Sequence, residues 1–186
     1  ILLAVGFGVV FGVGKLSEHR RLRWPSWAAV EFWRAVPVLL GMIFIWNLLG
    51  TDKESSCYWS VVLALMLYNG AVLAEVFRAG INAVPKGQAE AAYALGMRKT
   101  QVMLSIQLPQ AVKIMLPALI SQCVVALKDT ALGYVVLAPG LTQVGRLIYS
   151  NPEFGQNQIP TVFVVAMLYI VMNTILTVIA TWVQRK

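Results

Sequence analysis

The sequence predicts an all-α membrane protein, a polytopic bundle of about five transmembrane helices forming one permease-like domain over residues 1–186. Three observations carry that prediction. Hydrophobic residues make up 59% of the chain and charged residues only 12%, far from the composition of a water-soluble domain. Apolar stretches recur between short polar segments, and a helix of about 20 such residues crosses the ~30 Å hydrocarbon layer. The net charge of +7 is carried by basic residues that flank the apolar runs, which is the positive-inside pattern and not the footprint of a nucleic-acid-binding face.

The chain opens at Ile1 within an apolar, glycine-rich run that reaches Gly14. As a helix this run covers only about 21 Å, so the first span is expected to be incomplete and preceded by further sequence. A secretory leader is the rival reading, but no basic segment precedes the run and no small-residue cleavage pattern follows it. Ala4, Gly8 and Gly12 recur at intervals of four and form a small-residue stripe suited to close helix packing.

Residues 15–25, K-L-S-E-H-R-R-L-R-W-P, hold the densest charge cluster and are expected in the cytoplasm. His19, the single histidine, has no carboxylate or cysteine at ligand spacing and reads as a loop residue. Cys57 and Cys123 stand far apart in or beside apolar runs, so neither a disulfide framework nor a metal site is expected, and no cofactor is called for. A second span is predicted over residues 27–49, with Glu31 and Arg34 as an i,i+3 pair in its first turns. Residues 50–56, G-T-D-K-E-S-S, read as the short turn outside, and residues 59–80 form a third span.

Residues 90–109, E-A-A-Y-A-L-G-M-R-K-T-Q-V-M-L-S-I-Q-L-P, are too charged to span a bilayer and too regular to be slack. Helix formers lead into Gly96, a natural C-cap, and helical spacing resumes at Arg98 and runs to Leu108. Two short helices on a glycine elbow are predicted, within a loop of about residues 84–109. The pattern of Glu90, Ala91 and Ala92, then Gly96, then Ile106, Leu108 and Pro109 resembles the EAA motif of type I ABC importer permeases, matched at all of its positions. Arg34 to Pro37 resembles the R-x-x-P element of the polar amino acid branch of that family. Residues 69–88 and the triplet Lys128, Asp129, Thr130 resemble the same branch, which includes histidine, glutamine and glutamate permeases.

A fourth span is predicted over residues 112–128, bent at Pro117, which has no amide proton to donate. From residue 131 to 159 the pattern breaks. Pro139 and Gly140 precede a short amphipathic stretch at 141–148 and a polar loop, all read as external and partly re-entrant, with Gln143 and Arg146 turned toward substrate or partner. The last span covers residues 160–183 and ends at Arg185 and Lys186. Alternating sides put twelve of the 15 Lys and Arg residues inside and leave Lys53, Lys128 and Arg146 outside. The expected topology is therefore an external N-terminus, a cytoplasmic C-terminus and a cytoplasmic EAA loop.

No phosphate-binding loop, nucleophile elbow or catalytic carboxylate pair is present in the sequence, so the chain reads as a transport subunit and not an enzyme. The resemblance implies a MetI-like fold in the bacterial plasma membrane, a separate cytoplasmic ABC ATPase dimer docked on the EAA loop, a second permease subunit and an external substrate-binding protein. It also implies a polar amino acid as substrate, and overall resemblance to actinobacterial glutamate permeases favours glutamate or aspartate. The alternatives are a type I permease for another polar solute, a secondary carrier, which would need an inverted repeat, or an intramembrane enzyme. Polar side chains at membrane depth cost about 2.5 to 3.5 kcal/mol when charged, so they face a partner or a wet cavity. Asn69, Glu75, Gln122, Lys128 and Asp129 are thus candidates for the pathway lining. Glu75 with Arg78, and Lys128 with Asp129, are equally readable as ion pairs, whereas Asn69 and Gln122 have no obvious local partner.

Overall fold

The computed structural model describes residues 1–50, 54–155 and 157–184. The outer turn around Lys53 and the terminal Arg185 and Lys186 lie outside the described residues, the turn in part. Apolar α1 (Leu2–Leu16) is followed by α2 (Arg20–Ala35) and α3 (Val38–Leu49). The long α4 (Glu54–Asn82) leads into short α5 (Lys86–Ala94) and a single turn, α6 (Lys99–Gln101). A π-helical stretch, Val102–Gln107, then runs into α7 (Leu108–Asp129). After a 3₁₀ segment, Thr130–Val136, come α8 (Leu141–Ser150) and α9 (Gln158–Gln184).

Three helical stretches, Ser55–Asn82, Lys99–Val136 and Gln158–Trp182, are long and apolar enough to cross a membrane. The pair α2 and α3 makes a fourth if taken together, so three or four spans stand where about five were expected, and α1, at the place of the expected incomplete first span, is a shorter apolar helix. The second span is not the continuous helix predicted over 27–49. α2 and α3 meet at 103°, with Pro37 at the break. Proline donates no amide hydrogen and pushes the residue before it out of the helical region, and Val36 is accordingly extended at φ −76°, ψ 121°. By contrast, α7 continues through Pro117.

The second arm of the elbow also differs from expectation. It is not a separate short helix, because Lys99–Val136 forms one unbroken 38-residue helical stretch. In the π-helical register the Leu108 amide donates to the Met103 carbonyl, five residues back, directly before Pro109, which has no amide hydrogen to offer Ser105.

α4 is the centre of the bundle. One of its faces packs Ala71 and Ala74 against Val30 of α2 and Phe7 and Phe11 of α1, another packs Ala64 against Met42 and Ile45 of α3, and its end packs Ile81 against Ala111 and Met115 of α7. α9 lies only at the margin, against α7 and α8, and exposes apolar residues such as Phe163, Ile170 and Trp182. The small-residue stripe behaves as expected, since Ala4, Gly8 and Gly12 are the buried line of α1. A Cβ on Gly8 would stand 2.8 Å from the Leu73 Cβ, and one on Gly12 would stand 3.0 Å from the Ala74 carbonyl. Gly8→Leu or Gly12→Leu is therefore expected to cost about 1–3 kcal/mol through overpacking. Unfolding midpoints in detergent should fall for both and not for Gly6→Ala, where a Cβ meets nothing within 4 Å. Equal midpoints in all three would refute the packing role.

Candidate functional site: the glycine elbow, the polar bridge and the ionic cluster

The elbow begins where α5 unwinds. Ala92, 4% exposed, is the anchored member of Glu90, Ala91 and Ala92, and the other two are exposed. Gly96 adopts φ +78°, which a β-carbon makes costly, and its amide donates to the Tyr93 carbonyl at 2.9 Å while the Met97 amide donates to Ala92 at 3.2 Å. The second arm starts at Arg98, whose amide donates to Gln101 Oε1 at 2.8 Å, and fully buried Val102 holds it against α5. Gln110 reaches back to Gln88 at 3.5 Å. Ile106 is half-buried, and Leu108 and Pro109 are exposed. Two large apolar side chains stand exposed on the elbow, Leu95 at 83% and Tyr93 at 47%, beside exposed Glu90, Arg98 and Lys99. Lys99 pairs with Glu18 and holds that carboxyl below its usual range by hydrogen bond and charge, joining the elbow to the loop after α1.

Two of the pathway candidates find each other across the bundle. Gln122 Nε2 of α7 donates to Asn69 Oδ1 of α4 at 2.6 Å, and Asn69 Nδ2 donates to the Leu65 carbonyl at 3.0 Å. Asn69 is buried at 2% exposure and borders two cavities. One, of about 350 Å³, lies between α1, α4 and α7 and is almost wholly apolar apart from this bridge. The other, of about 830 Å³, lies among α4, α7, α8 and α9 and carries Thr130, Thr142, Gln143 and Tyr169. The Tyr169 hydroxyl stands 3.2 Å from that of Thr142, and the buried Oε1 of Gln143 has no hydrogen-bond partner among the described residues. Gln143 thus borders this cavity, whereas Arg146 is exposed.

Removing either end of the bridge orphans the other, at about 1–3 kcal/mol for a buried polar group. Gln122→Leu and Asn69→Leu are each expected to lower the unfolding midpoint, and the double replacement should cost less than their sum. Strict additivity would show that the bridge contributes nothing.

Glu75 belongs to a larger ionic cluster that sequence spacing did not reveal. Lys15 of α1, its side chain 5% exposed, pairs with Glu75 of α4 and lies 3.2 Å from Glu31 of α2. Arg78 Nε lies 2.9 Å from Glu75, and Arg34 3.3 Å from Glu31. The expected i,i+3 pairs both form, and Lys15 ties them together. Lys128 and Asp129 do not pair: among the described residues no ion pair joins them, because neighbours in a helix point in different directions. Lys128 is exposed and Asp129 half-buried, and neither contributes to the polar bridge.

The described residues thus combine one bent helix pair, a glycine elbow between α5 and the stretch leading into α7, and a polar bridge bordered by two cavities. A family model described as "Binding-protein-dependent transport system inner membrane component" matches residues 4–186. The chain belongs to this family. This permease is 44% identical over 190 residues to the "Glutamate transport system permease protein GluD" of Corynebacterium glutamicum, covering 100% of this chain and 68% of that one. It is 32% identical to the "Arginine transport system permease protein ArtQ" of Bacillus subtilis, covering 100% of this chain and 84% of the relative.

Its fold matches a crystal structure of an amino acid ABC transporter with histidines, at TM-score 0.89 and 29% identity, over 99% of this chain and 85% of that one. It also matches an inward-facing methionine ABC transporter, MetNI, at TM-score 0.78 and 19% identity with the same coverage, a likeness of fold alone. The permease is thus a multi-pass bacterial membrane protein with the MetI-like fold, the inner membrane component of a binding-protein-dependent transport system.

Proposed function

We propose that the chain is the membrane-spanning half of an ATP-driven importer for polar amino acids, with glutamate or aspartate as favoured substrate. The single observation that carries this reading is the elbow at residues 90–109: a complete EAA pattern built with Gly96 at φ +78° and with Tyr93 and Leu95 exposed beside it. A rigid helix pair on a glycine pivot passes on a rigid-body motion that a slack loop would absorb. Because the second arm is continuous with α7, displacement at Glu90, Ala91, Ala92 and Gly96 is carried through Ile106, Leu108 and Pro109 into a spanning helix. ATPase closure on two such elbows, one per permease subunit, rocks the halves and opens the cavity to a loaded binding protein outside. Both ligands must favour the same state of the bundle, since a ligand without differential affinity shifts no equilibrium.

In this reading the loop of residues 84–109 is cytoplasmic, the N-terminus external and the C-terminus cytoplasmic, and residues 1–186 act as one domain. Asn69, Gln122, Lys128 and Asp129 border the solute path, while Glu75 holds helices together. The 44% identity to a glutamate permease supports an acidic substrate, and the 32% identity to an arginine permease supports the alternative of a basic one.

Uptake from a labelled mixture of amino acids by cells carrying this permease with its ATPase and binding protein, competed by single unlabelled amino acids in excess, tests the assignment. Inhibition by glutamate and aspartate is expected. Inhibition by arginine or lysine but not glutamate would overturn the acidic assignment, and no inhibition by any amino acid would overturn the class.

A further inference from the structure

The segment 20–27, R-R-L-R-W-P-S-W, takes no part in the elbow or the polar bridge. It forms the first half of α2, which is turned 103° away from α3 and follows directly on the charged end of α1. Both chain neighbours of α2 are apolar helices, so α2 is held at the end of the bundle where those helices terminate.

A cleft of about 630 Å³ opens there between α1, α2 and α4. Its wall carries three cations, Lys15, Arg23 and Arg78, against two carboxylates, Glu31 and Glu75. Both carboxylates are already engaged by Lys15, Arg34 and Arg78. The Arg23 side chain has no ion-pair or hydrogen-bond partner among the described residues, and neither do the side chains of Arg20 and Arg21, which form a shallower hollow with Trp24. Trp24 and Trp27, which line the same cleft, are 61% and 51% exposed, with ring centroids 6.4 Å apart.

We propose that this cleft binds the headgroup of an anionic phospholipid, with α2 lying in the membrane interface. The chemistry matches on two counts. Unpaired guanidinium groups offer planar forks that suit a phosphate, whereas the carboxylates that would repel it are neutralised within the protein. Exposed tryptophans interleaved with arginines are at home where headgroups meet acyl chains, since one side of the ring is apolar and its N–H is not. Juxtamembrane basic clusters are drawn to anionic leaflets by the negative surface potential of the lipid headgroups. A soluble anion would use the arginines but would leave both indoles in water.

The test uses the full chain in lipid nanodiscs containing either brominated phosphatidylglycerol or brominated phosphatidylcholine at equal mole fraction. The fluorescence of Trp24 and Trp27 is obtained as the difference between the wild-type chain and the Trp24→Phe/Trp27→Phe chain. Quenching of this difference signal should be several-fold stronger with the anionic lipid. It should fall to the phosphatidylcholine level in Arg23→Gln, an exposed replacement whose unfolding midpoint serves as the folding control, and it should persist in excess inorganic phosphate. Equal quenching by the two lipids, or no change in Arg23→Gln, would overturn the proposal. Loss of the preference in inorganic phosphate would show a free-anion site instead, and absence of quenching by either lipid would show that protein covers α2.

Discussion

Gly96→Val should reduce uptake to background while the permease still inserts at normal abundance and the ATPase still binds nucleotide. Gly96 sits at φ +78° with nothing within 4 Å of a hypothetical Cβ, so the obstacle is backbone conformation and not crowding. The left-handed region costs an ordinary L-residue about 1–2 kcal/mol, and a β-branched one more. The elbow relieves that strain by moving the Gly96–Tyr93 and Met97–Ala92 hydrogen bonds, which changes the angle between α5 and the helix leading into α7. Gly96→Asn, which tolerates this conformation best, should retain the most uptake, and Gly96→Ala should fall between. An order of activity that followed side-chain volume instead, or full uptake by Gly96→Val, would remove the elbow from the coupling path.

Lys15→Met should cause the largest loss of stability of any single change in the ionic cluster. The Lys15 side chain is 5% exposed and, among the described residues, is the one cation that touches both Glu31 and Glu75. Removing one partner of a buried pair costs about 3–5 kcal/mol, because it leaves charge without compensation. The figure here lies at or below the low end, since Glu75 keeps Arg78, Glu31 keeps Arg34, and the Glu31 side chain is 39% exposed. Adding Glu75→Gln to Lys15→Met should restore part of the loss by removing the stranded carboxylate, which is measured as a double-mutant cycle on the detergent unfolding midpoint. If the double replacement were no better than the single one, the cluster would not be acting as a charge-balanced unit.

Much was legible because it is local. Span positions follow from apolar runs, and the buried stripe of Ala4, Gly8 and Gly12 follows from a period of four. Gly96 announced the turn because a C-cap needs the left-handed backbone that only glycine adopts freely. Pairs three apart, Glu31 with Arg34 and Glu75 with Arg78, could be read because helix geometry alone brings them together. The break at Pro37 had its cause in plain view, but the continuous apolar run from Val36 to Leu49 hid it, since hydropathy carries no information about direction.

Only the tertiary structure decided which polar groups meet across helices. Lys15 finds Glu75 at a separation of 60 residues, and Gln122 finds Asn69 at 53, pairings set by which faces of α1, α4 and α7 turn toward one another. Low dielectric makes each such group seek a partner, but the sequence states the demand and not the supply. Lys128 and Asp129, adjacent in the chain, look like a pair on paper and are not one, because a 100° turn between successive side chains separates what the sequence places side by side.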